Sequence, residues 1–502
     1  MKRSFVKGFV SILGGNFVSM FVSLLLTPIL IRVLGSSQYG QYAVVLSVFG
    51  PLMILVNAGL FPGIRKFVGE HPNDPAWRDG LFGFYTRVAI GFAVVGIVAV
   101  LVAVLSGVID VFFGESFRPL FYIVVLMIPL YQFFVLGRGT LMALGLEHYS
   151  EPVAALQQLL FKGLGILLVL AGLGVAGALF GYAISLFVAA ALCLVFAVRH
   201  VELRSVIDPL SLDIERQELL GFNVLSVVHA FLASSLLNAD VLLIQFFRGS
   251  SQAGYYKAAL VVSAFLWFVP RALKTTLLHS TAELWAEDRY DRISARASRL
   301  TRYSLVSVML LVLGLGALAD AFVSIYYGAS FAPTVTPLLL LLPGTFGFAL
   351  ARPLMAIGQA NGSLRTLIAA TGSAAVINVV LNFLLIPTYG MSGAAVATSV
   401  GYGSMLLFHL AGARVIGYDP LADLRLGRVV ASGALTGIVI LGLAITIGSD
   451  LVSLVVVPPV GLVVYAAASI GTGAIGTTEL RTILRQLPLP RVGPLQRLIG
   501  SE

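Results

Sequence analysis

The sequence predicts an all-α polytopic membrane protein, with about 14 transmembrane helices in two pseudo-twofold six-helix lobes plus two extra C-terminal helices. Three observations predict it. The first is composition: 58% of the 502 residues are hydrophobic, 11% are charged and the mean hydropathy is +0.98, whereas a soluble chain carries about 25% charged residues. The second is run length. The apolar runs are long enough to cross a bilayer and lack period-2 alternation, so they are helices that satisfy their own backbone in the absence of water. The third is an internal duplication.

GSSQYGQY at Gly35 recurs as GSSQAGYY at Gly249, an offset of 214 residues. The same offset relates FFGESFRP at Phe112 to YYGASFAP at Tyr326, Pro129 to Pro343, and Arg138 to Arg352. LMALG at Leu141 and LMAIG at Leu354 match one residue out of step. Several matches in order at a nearly constant offset are a duplication, with a period far longer than that of a solenoid.

Taken in order, the expected spans of the first copy run Phe5–Leu34, Tyr39–Ile64, Leu81–Ser106, Pro119–Leu144, Pro152–Gly172 and Val175–Val198. Those of the second run Leu219–Phe247, Tyr255–Leu278, Tyr303–Tyr327, Thr336–Gly358, Thr366–Ile386 and Met391–Ala413. Arg428–Ile447 and Leu451–Ile475 have no repeat partner. The expected organisation is an N-terminal lobe over 1–205, a C-terminal lobe over 206–414, and two additional helices with a cytoplasmic tail over 415–502. The first run follows Lys2, Arg3 and Lys7 and is too long for a signal-peptide core, so it reads as an uncleaved anchor.

Lys and Arg set the orientation. One set of alternate loops holds Arg65, Lys66, Arg78, Arg199, Arg204 and the cluster from Arg289 to Arg302, with Arg365, Arg414, Arg425 and Arg428 beyond. The opposite set offers only Arg32, Arg118 and Arg248. Both termini are therefore expected in the cytoplasm, in the cell membrane. The same distribution explains the net charge of +9 without a nucleic-acid partner. Cys193, the single cysteine, lies within an apolar run, and no intrachain disulfide can form.

The spans an even number apart enter the membrane the same way, so the copies are expected to be parallel repeats with a substrate site between them. Intramembrane charges are the first candidates for it. Arg87, Arg138, Lys162, Arg271, Lys274 and Arg352 all fall in the cytoplasmic half of their spans. Lys162, near the midplane, and Arg352 are the two that snorkelling explains least. Together they form a candidate binding set for the phosphate or diphosphate of an anionic head group. Asp240 lies well inside the outer leaflet, either as a proton or Na⁺ coupling site or as the partner of Lys257 at similar depth. Asn378 and Asn382, four apart on one helix face, are candidates for sugar contacts or for hydrogen bonds to a neighbouring helix. Pro387, Gly390 and Gly393 mark a tight outside turn, and the GSSQ stretches read as hinges with no ligand.

RVLGSSQYGQYA at Arg32, NAGLFPGIRKFVG at Asn57 and NVVLNFLLIPTYGMSGAAVATS over 378–399 resemble the polysaccharide transporter family, oligosaccharide flippases of the superfamily that also holds MATE exporters and lipid II flippases. The resemblance implies two helical lobes around a central cavity. It also implies movement of polyprenyl-linked sugars from the cytoplasmic to the outer leaflet by alternating access. Lipid-linked oligosaccharide, membrane lipids and glycan-assembly proteins are the implied partners. The family often has Asp where this chain has Asn57.

Two other readings compete. A cation-coupled exporter of drugs or metabolites in the same fold predicts several deep carboxylates, whereas the deep charges here are mostly basic. A membrane glycosyltransferase or glycan polymerase predicts a sizeable soluble face or an acidic catalytic pair, and the outside loops are short. No GxSxG, HExxH, phosphate-loop or paired Cys/His signature occurs. The expectation is thus a transporter and not an enzyme, with no metal and no cofactor.

Overall fold

The computed structural model describes residues 2–70, 74–207, 216–271, 273, 281, 284, 285, 287 and 289–479, with the side chains of 2–21, 69, 70, 216–223 and 226 set aside. The described regular structure is helical. In chain order the main helices are α1 (Lys2–Asn57), α2 (Leu60–Glu70), α3 (Pro75–Leu105), α4 (Val108–Phe113), α5 (Arg118–Ala143), α6 (Glu147–Leu168), α7 (Gly174–Ala197) and α8 (Arg216–Arg248). They continue with α9 (Ser250–Ser263), α10 (Tyr290–Ala317), α11 (Ala319–Tyr327), α12 (Val335–Ala360), α13 (Leu364–Ile416), α14 (Leu426–Thr446) and α15 (Asp450–Gly471). Lys274 and the tail prolines Pro488, Pro490 and Pro494 lie outside the described residues.

Eleven helical stretches are long and apolar enough to cross a membrane. Three of them, of 47, 51 and 53 residues, are more than twice the roughly 20 residues one crossing needs. Each is interrupted by glycine outside helical geometry: Gly35 in α1, Gly172 and Gly174 between α6 and α7, and Gly390 in α13. Among the described residues each of the three is long enough to turn back on itself at its glycine, which is the pattern expected of two predicted spans joined by a short turn. The outward faces stay apolar, as on Leu105, Ile438 and Val463, because lipid rather than water surrounds them. This is a multi-pass membrane protein.

The duplication is legible in backbone conformation. Gly114 (φ 99°, ψ 156°) and Gly328 (φ 95°, ψ 160°) match at the 214-residue offset, and Gly174 (φ 50°, ψ −135°) matches Gly390 (φ 57°, ψ −135°). Side chains rarely adopt such angles, so glycine at both copies follows from the turn and not from a ligand.

The chain packs as two compact units. One comprises Met1–Val261, Tyr326–Pro337 and Leu364–Gly401; the other comprises Val262–Ile325, Leu338–Ser363 and Tyr402–Glu502. In the first unit the two GSSQ stretches meet. A Cβ on Gly40 would lie 1.8 Å from the Ser250 carbonyl oxygen, and one on Gly254 2.1 Å from that of Ser36. Backbones this close require small residues on both sides. The glutamines of the two copies reach the matched turns. Met391 N–H donates to Gln252 Oε1 at 3.1 Å, and Gln38 Oε1 lies 3.2 Å from where a Cβ on Gly174 would stand. Arg248 donates to the carbonyls of Ile386, Pro387 and Thr388, where Pro387 and the turn leave α13 carbonyls without helical partners. Gly181 packs on Gly165 between α6 and α7 in the same small-residue manner.

In the second unit the two helices without a repeat partner, α14 and α15, pack on α10 through Met309 and Leu313 against Gly433 and Gly437. A charge cluster fixes one end of this packing. Arg302, fully buried, donates to Asp423 at 2.8 Å and to Glu479. Arg425, in the left-handed region at φ 49°, donates to Asp423 at 2.9 Å and to the Gly473 carbonyl at 3.1 Å. Arg299 also lies 4.0 Å from Glu479, so three guanidinium groups surround two carboxylates. Sequence reading places Arg302 among loop bases; its burial is set by carboxylates 121 and 177 residues away.

Candidate functional site

The first unit contains a cavity of about 220 Å³ lined by Asn57, Phe61, Tyr131, Phe134, Val135 and Arg138. Its floor is a broken helix. α1 ends at Asn57, Ala58 (φ 44°) and Gly59 (φ 77°) take positive φ, and α2 begins at Leu60. A positive φ on a residue with a side chain is strained and is held by its surroundings. Here Gln132 of α5, almost fully buried, donates through Nε2 to the freed Val56 carbonyl at 3.2 Å. Arg138, on the same helix as Gln132, donates to Glu151 Oε1 at 2.8 Å and lies over the Phe61 ring at 5.7 Å. Glu151 is thus the acid that neutralises this member of the basic set. Arg138 Nε and Asn57 Oδ1 are buried without a hydrogen-bond partner.

A second polar group in this unit centres on Asp240, which has no exposed surface. Its carboxylate accepts from Tyr256 Oη at 2.5 Å, from Thr398 Oγ1 at 3.1 Å and from Val241 N–H at 2.8 Å. Asn378 Nδ2 donates to Thr398 Oγ1 at 3.1 Å. Of the two readings of Asp240, the pair with Lys257 takes the form of an interaction through space, while hydrogen bonds from Tyr256 and Thr398 hold the carboxylate. Asn378 Oδ1 and both amide atoms of the fully buried Asn382 are without a partner, so the pair is one face in part: Asn378 joins the Asp240 group and Asn382 makes no hydrogen bond.

In the second unit Arg352 lies between two rings, 4.6 Å from the Trp267 centroid and 4.7 Å from that of Phe348. Tyr402 stacks on Phe348 at 4.9 Å. Arg352 pairs with no carboxylate among the described residues, and its Nε is buried without a partner. Sequence reading finds the Arg138 and Arg352 equivalence but misses the longer signal around it. FVLGR over 134–138 and FALAR over 348–352 repeat a Phe one turn before the arginine; in the second copy that ring, Phe348, lies beside the guanidinium, whereas Arg138 lies over Phe61.

The other candidates separate. Arg87 donates to the carbonyls of Ser205 at 3.0 Å and Val206 at 2.8 Å and so holds the segment after α7. Lys162 lies half-buried with its ammonium 4.9 Å from the Phe161 centroid, the contact it makes among the described residues. Arg271 is exposed and interacts electrostatically with Arg352. Among the described residues no group of three or more His, Cys, Asp or Glu side chains forms a metal centre.

The sequence profile described as "Polysaccharide biosynthesis protein" matches residues 5–265, more than half of the chain. The chain belongs to that family. Among curated relatives, this member of the polysaccharide biosynthesis family is 23% identical over 256 residues to the "Probable low-salt glycan biosynthesis flippase Agl15" of Haloferax volcanii, covering 50% of this chain and 53% of that one. It is 24% identical over 176 residues to the "Uncharacterized membrane protein MJ1068" of Methanocaldococcus jannaschii, covering 34% of each. The chain thus aligns with about half the length of the first relative and a third of the second.

The fold of this family member is similar to that of "Lipid II flippase MurJ, inward closed conformation", with a TM-score of 0.75 at 14% identity over 94% of this chain and 99% of the other. A MATE structure in complex with MaL6 gives 0.59 at 17% identity over 82% and 96%.

Proposed function

We propose that this protein is a flippase for polyprenyl-phosphate- or polyprenyl-diphosphate-linked sugars, moving them from the cytoplasmic to the outer leaflet by alternating access. Membership of the polysaccharide biosynthesis family and a relative named as a glycan biosynthesis flippase support the reading. The observation that carries it at the level of residues is Arg352, held between Trp267 and Phe348 with no carboxylate beside it among the described residues. An arginine without an acidic partner inside a membrane protein is poised for an anion from elsewhere, and a phosphate takes two parallel N–H bonds from such a fork. Lys162, in the other unit, also has no acidic partner among the described residues and is a separate candidate for an anion contact. Arg138, already neutralised by Glu151, contributes less to charge.

Asp240 is the coupling group in this reading. It is a buried carboxylate held by neutral donors, with the open amide oxygen of Asn378 in the same cluster. Uptake and release of H⁺ or Na⁺ there would drive the conformational cycle. The same group would serve a cation-coupled exporter. The choice between the two rests on the cargo, anionic here and usually cationic or neutral for drugs.

The test is restoration of surface glycan in a host that lacks its own lipid-linked glycan flippase, with membrane abundance of each variant measured. Wild type should restore the glycan. Arg352→Ala should lower export at least tenfold and let carrier-linked glycan accumulate inside, and Arg352→Lys should retain part of it. Wild-type export by both Arg352→Ala and Lys162→Ala at normal abundance would remove each of them as a head-group contact. Failure of wild type to restore any glycan, with drug resistance gained instead, would favour the exporter.

A further inference from the structure

The cavity in the first unit is built unlike the surroundings of Arg352, and the difference is chemical. Arg138 carries its own counter-charge: Glu151, 2% exposed, accepts from Nη2 at 2.8 Å. A phosphate entering here would meet a cation already neutralised and would add its charge next to a buried carboxylate, which is unfavourable in low dielectric. Around the cavity one donor, Arg138 Nε, and two acceptors, Asn57 Oδ1 and Gln132 Oε1, are buried without partners. A phosphate offers acceptors only, and a lipid tail offers neither donor nor acceptor and would leave all of these groups unpaired. A hydroxyl both donates and accepts.

The walls narrow the class further. Phe61, Tyr131 and Phe134 line the cavity with Val135. Water alone would satisfy Asn57 and Arg138, but it has no use for three aromatic walls. A sugar ring presents hydroxyls at its rim and C–H groups on its faces, which fit the polar pair and the rings respectively. The volume of about 220 Å³ is far more than one water needs and admits a group the size of a ring. The site is also fixed before any ligand arrives. Asn57 ends a helix at a strained Ala58, and the Gln132 bond to the Val56 carbonyl ties that break to α5, the helix that carries Tyr131, Phe134 and Arg138.

We propose that this cavity is a subsite for a single sugar ring of the cargo. Asn57 accepts a ring hydroxyl, Arg138 Nε donates to one, and Phe61, Tyr131 and Phe134 cover the ring faces. The proposal rests on the flippase reading and adds to it how the sugar is recognised. The Asn57–Arg138 pair reads the sugar through hydroxyls and not through charge.

The experiment is binding to the full-length protein in lipid nanodiscs, by isothermal titration calorimetry. The probes are citronellyl diphosphate, the same diphosphate bearing glucose, galactose or N-acetylglucosamine, and one bearing glucuronate. Wild type should bind at least one neutral-sugar probe fivefold or more tightly than citronellyl diphosphate. Asn57→Ala and, as an independent variant, Tyr131→Leu should abolish that gain and leave citronellyl diphosphate within twofold of wild type. Arg352→Ala should weaken all probes together.

Loss of the sugar-free diphosphate in the Asn57 and Tyr131 variants would overturn the proposal and make the cavity an anion site. So would a gain confined to glucuronate, because the reading would then be by charge. An unchanged sugar gain in both folded variants would also overturn it while the flippase reading stood. If wild type binds no probe at all, the flippase reading falls and the subsite falls with it.

Discussion

Tyr256 Oη donates a 2.5 Å hydrogen bond to the Asp240 carboxylate, and the adjacent Lys257 does not touch it. The carboxylate is stabilised by neutral donors from α8, α9 and α13, so its charge does not depend on one cation. If Asp240 couples transport to an ion, Asp240→Asn should reduce export at least tenfold at normal abundance, because the amide neither binds a proton nor carries charge. Adding Lys257→Met should not restore export. Full recovery in the double variant, read as surface glycan, would show that the two residues form only a charge pair. Tyr256→Phe removes one hydrogen bond and should cost less than Asp240→Asn.

Arg302 holds Asp423 and Glu479 from a position with no exposed surface. Arg302→Met leaves Asp423 and Glu479 with Arg425 and Arg299 as their remaining cations and should destabilise the protein by less than the about 3–5 kcal/mol of breaking a fully buried pair. Thermal unfolding of the purified protein should show the loss as a lower midpoint. The triple variant Arg302→Met, Asp423→Asn, Glu479→Gln removes both carboxylates, leaves Arg299 and Arg425 without them, and should not unfold at a higher midpoint than wild type. An unchanged midpoint in Arg302→Met would mean that α14 and α15 are held by apolar packing alone.

Gly40 and Gly254 leave no room for a side chain. A methyl on either would stand within about 2 Å of a backbone carbonyl oxygen of the other GSSQ copy, and backbone does not yield as a flexible side chain does. Gly40→Ala and Gly254→Ala should each lower the fraction that elutes as a single species after detergent extraction. Gly50→Ala, where nothing lies within 4 Å of the new carbon, should behave as wild type. Equal recovery of all three would contradict the close approach.

Orientation is testable by labelling. With Cys193→Ser as background, Ser37→Cys and Ser251→Cys should react with a membrane-impermeant maleimide added to intact cells, and Ala295→Cys should react only after permeabilisation. All three positions accept a label, Ser37, Ser251 and Ala295 being exposed. Labelling of Ala295→Cys alone in intact cells would reverse the assignment made from Lys and Arg.

The sequence by itself determined the fold class, because run length and hydropathy are local quantities and a bilayer leaves helices as the solution for such runs. It determined the duplication, since glycine is required wherever the backbone takes the angles of Gly174 and Gly390. It marked Arg138, Lys162, Arg352 and Asp240 as costly and therefore meaningful. It did not determine their partners. Arg138 meets Glu151, Asp240 meets Tyr256 and Thr398, and Arg302 meets Asp423 and Glu479 across as many as 177 residues. Which charges are cancelled and which remain open is fixed by tertiary packing. Composition counts a lone arginine and a paired one alike, and only the three-dimensional arrangement separates Arg352 on its aromatic faces from Arg138 beside its carboxylate.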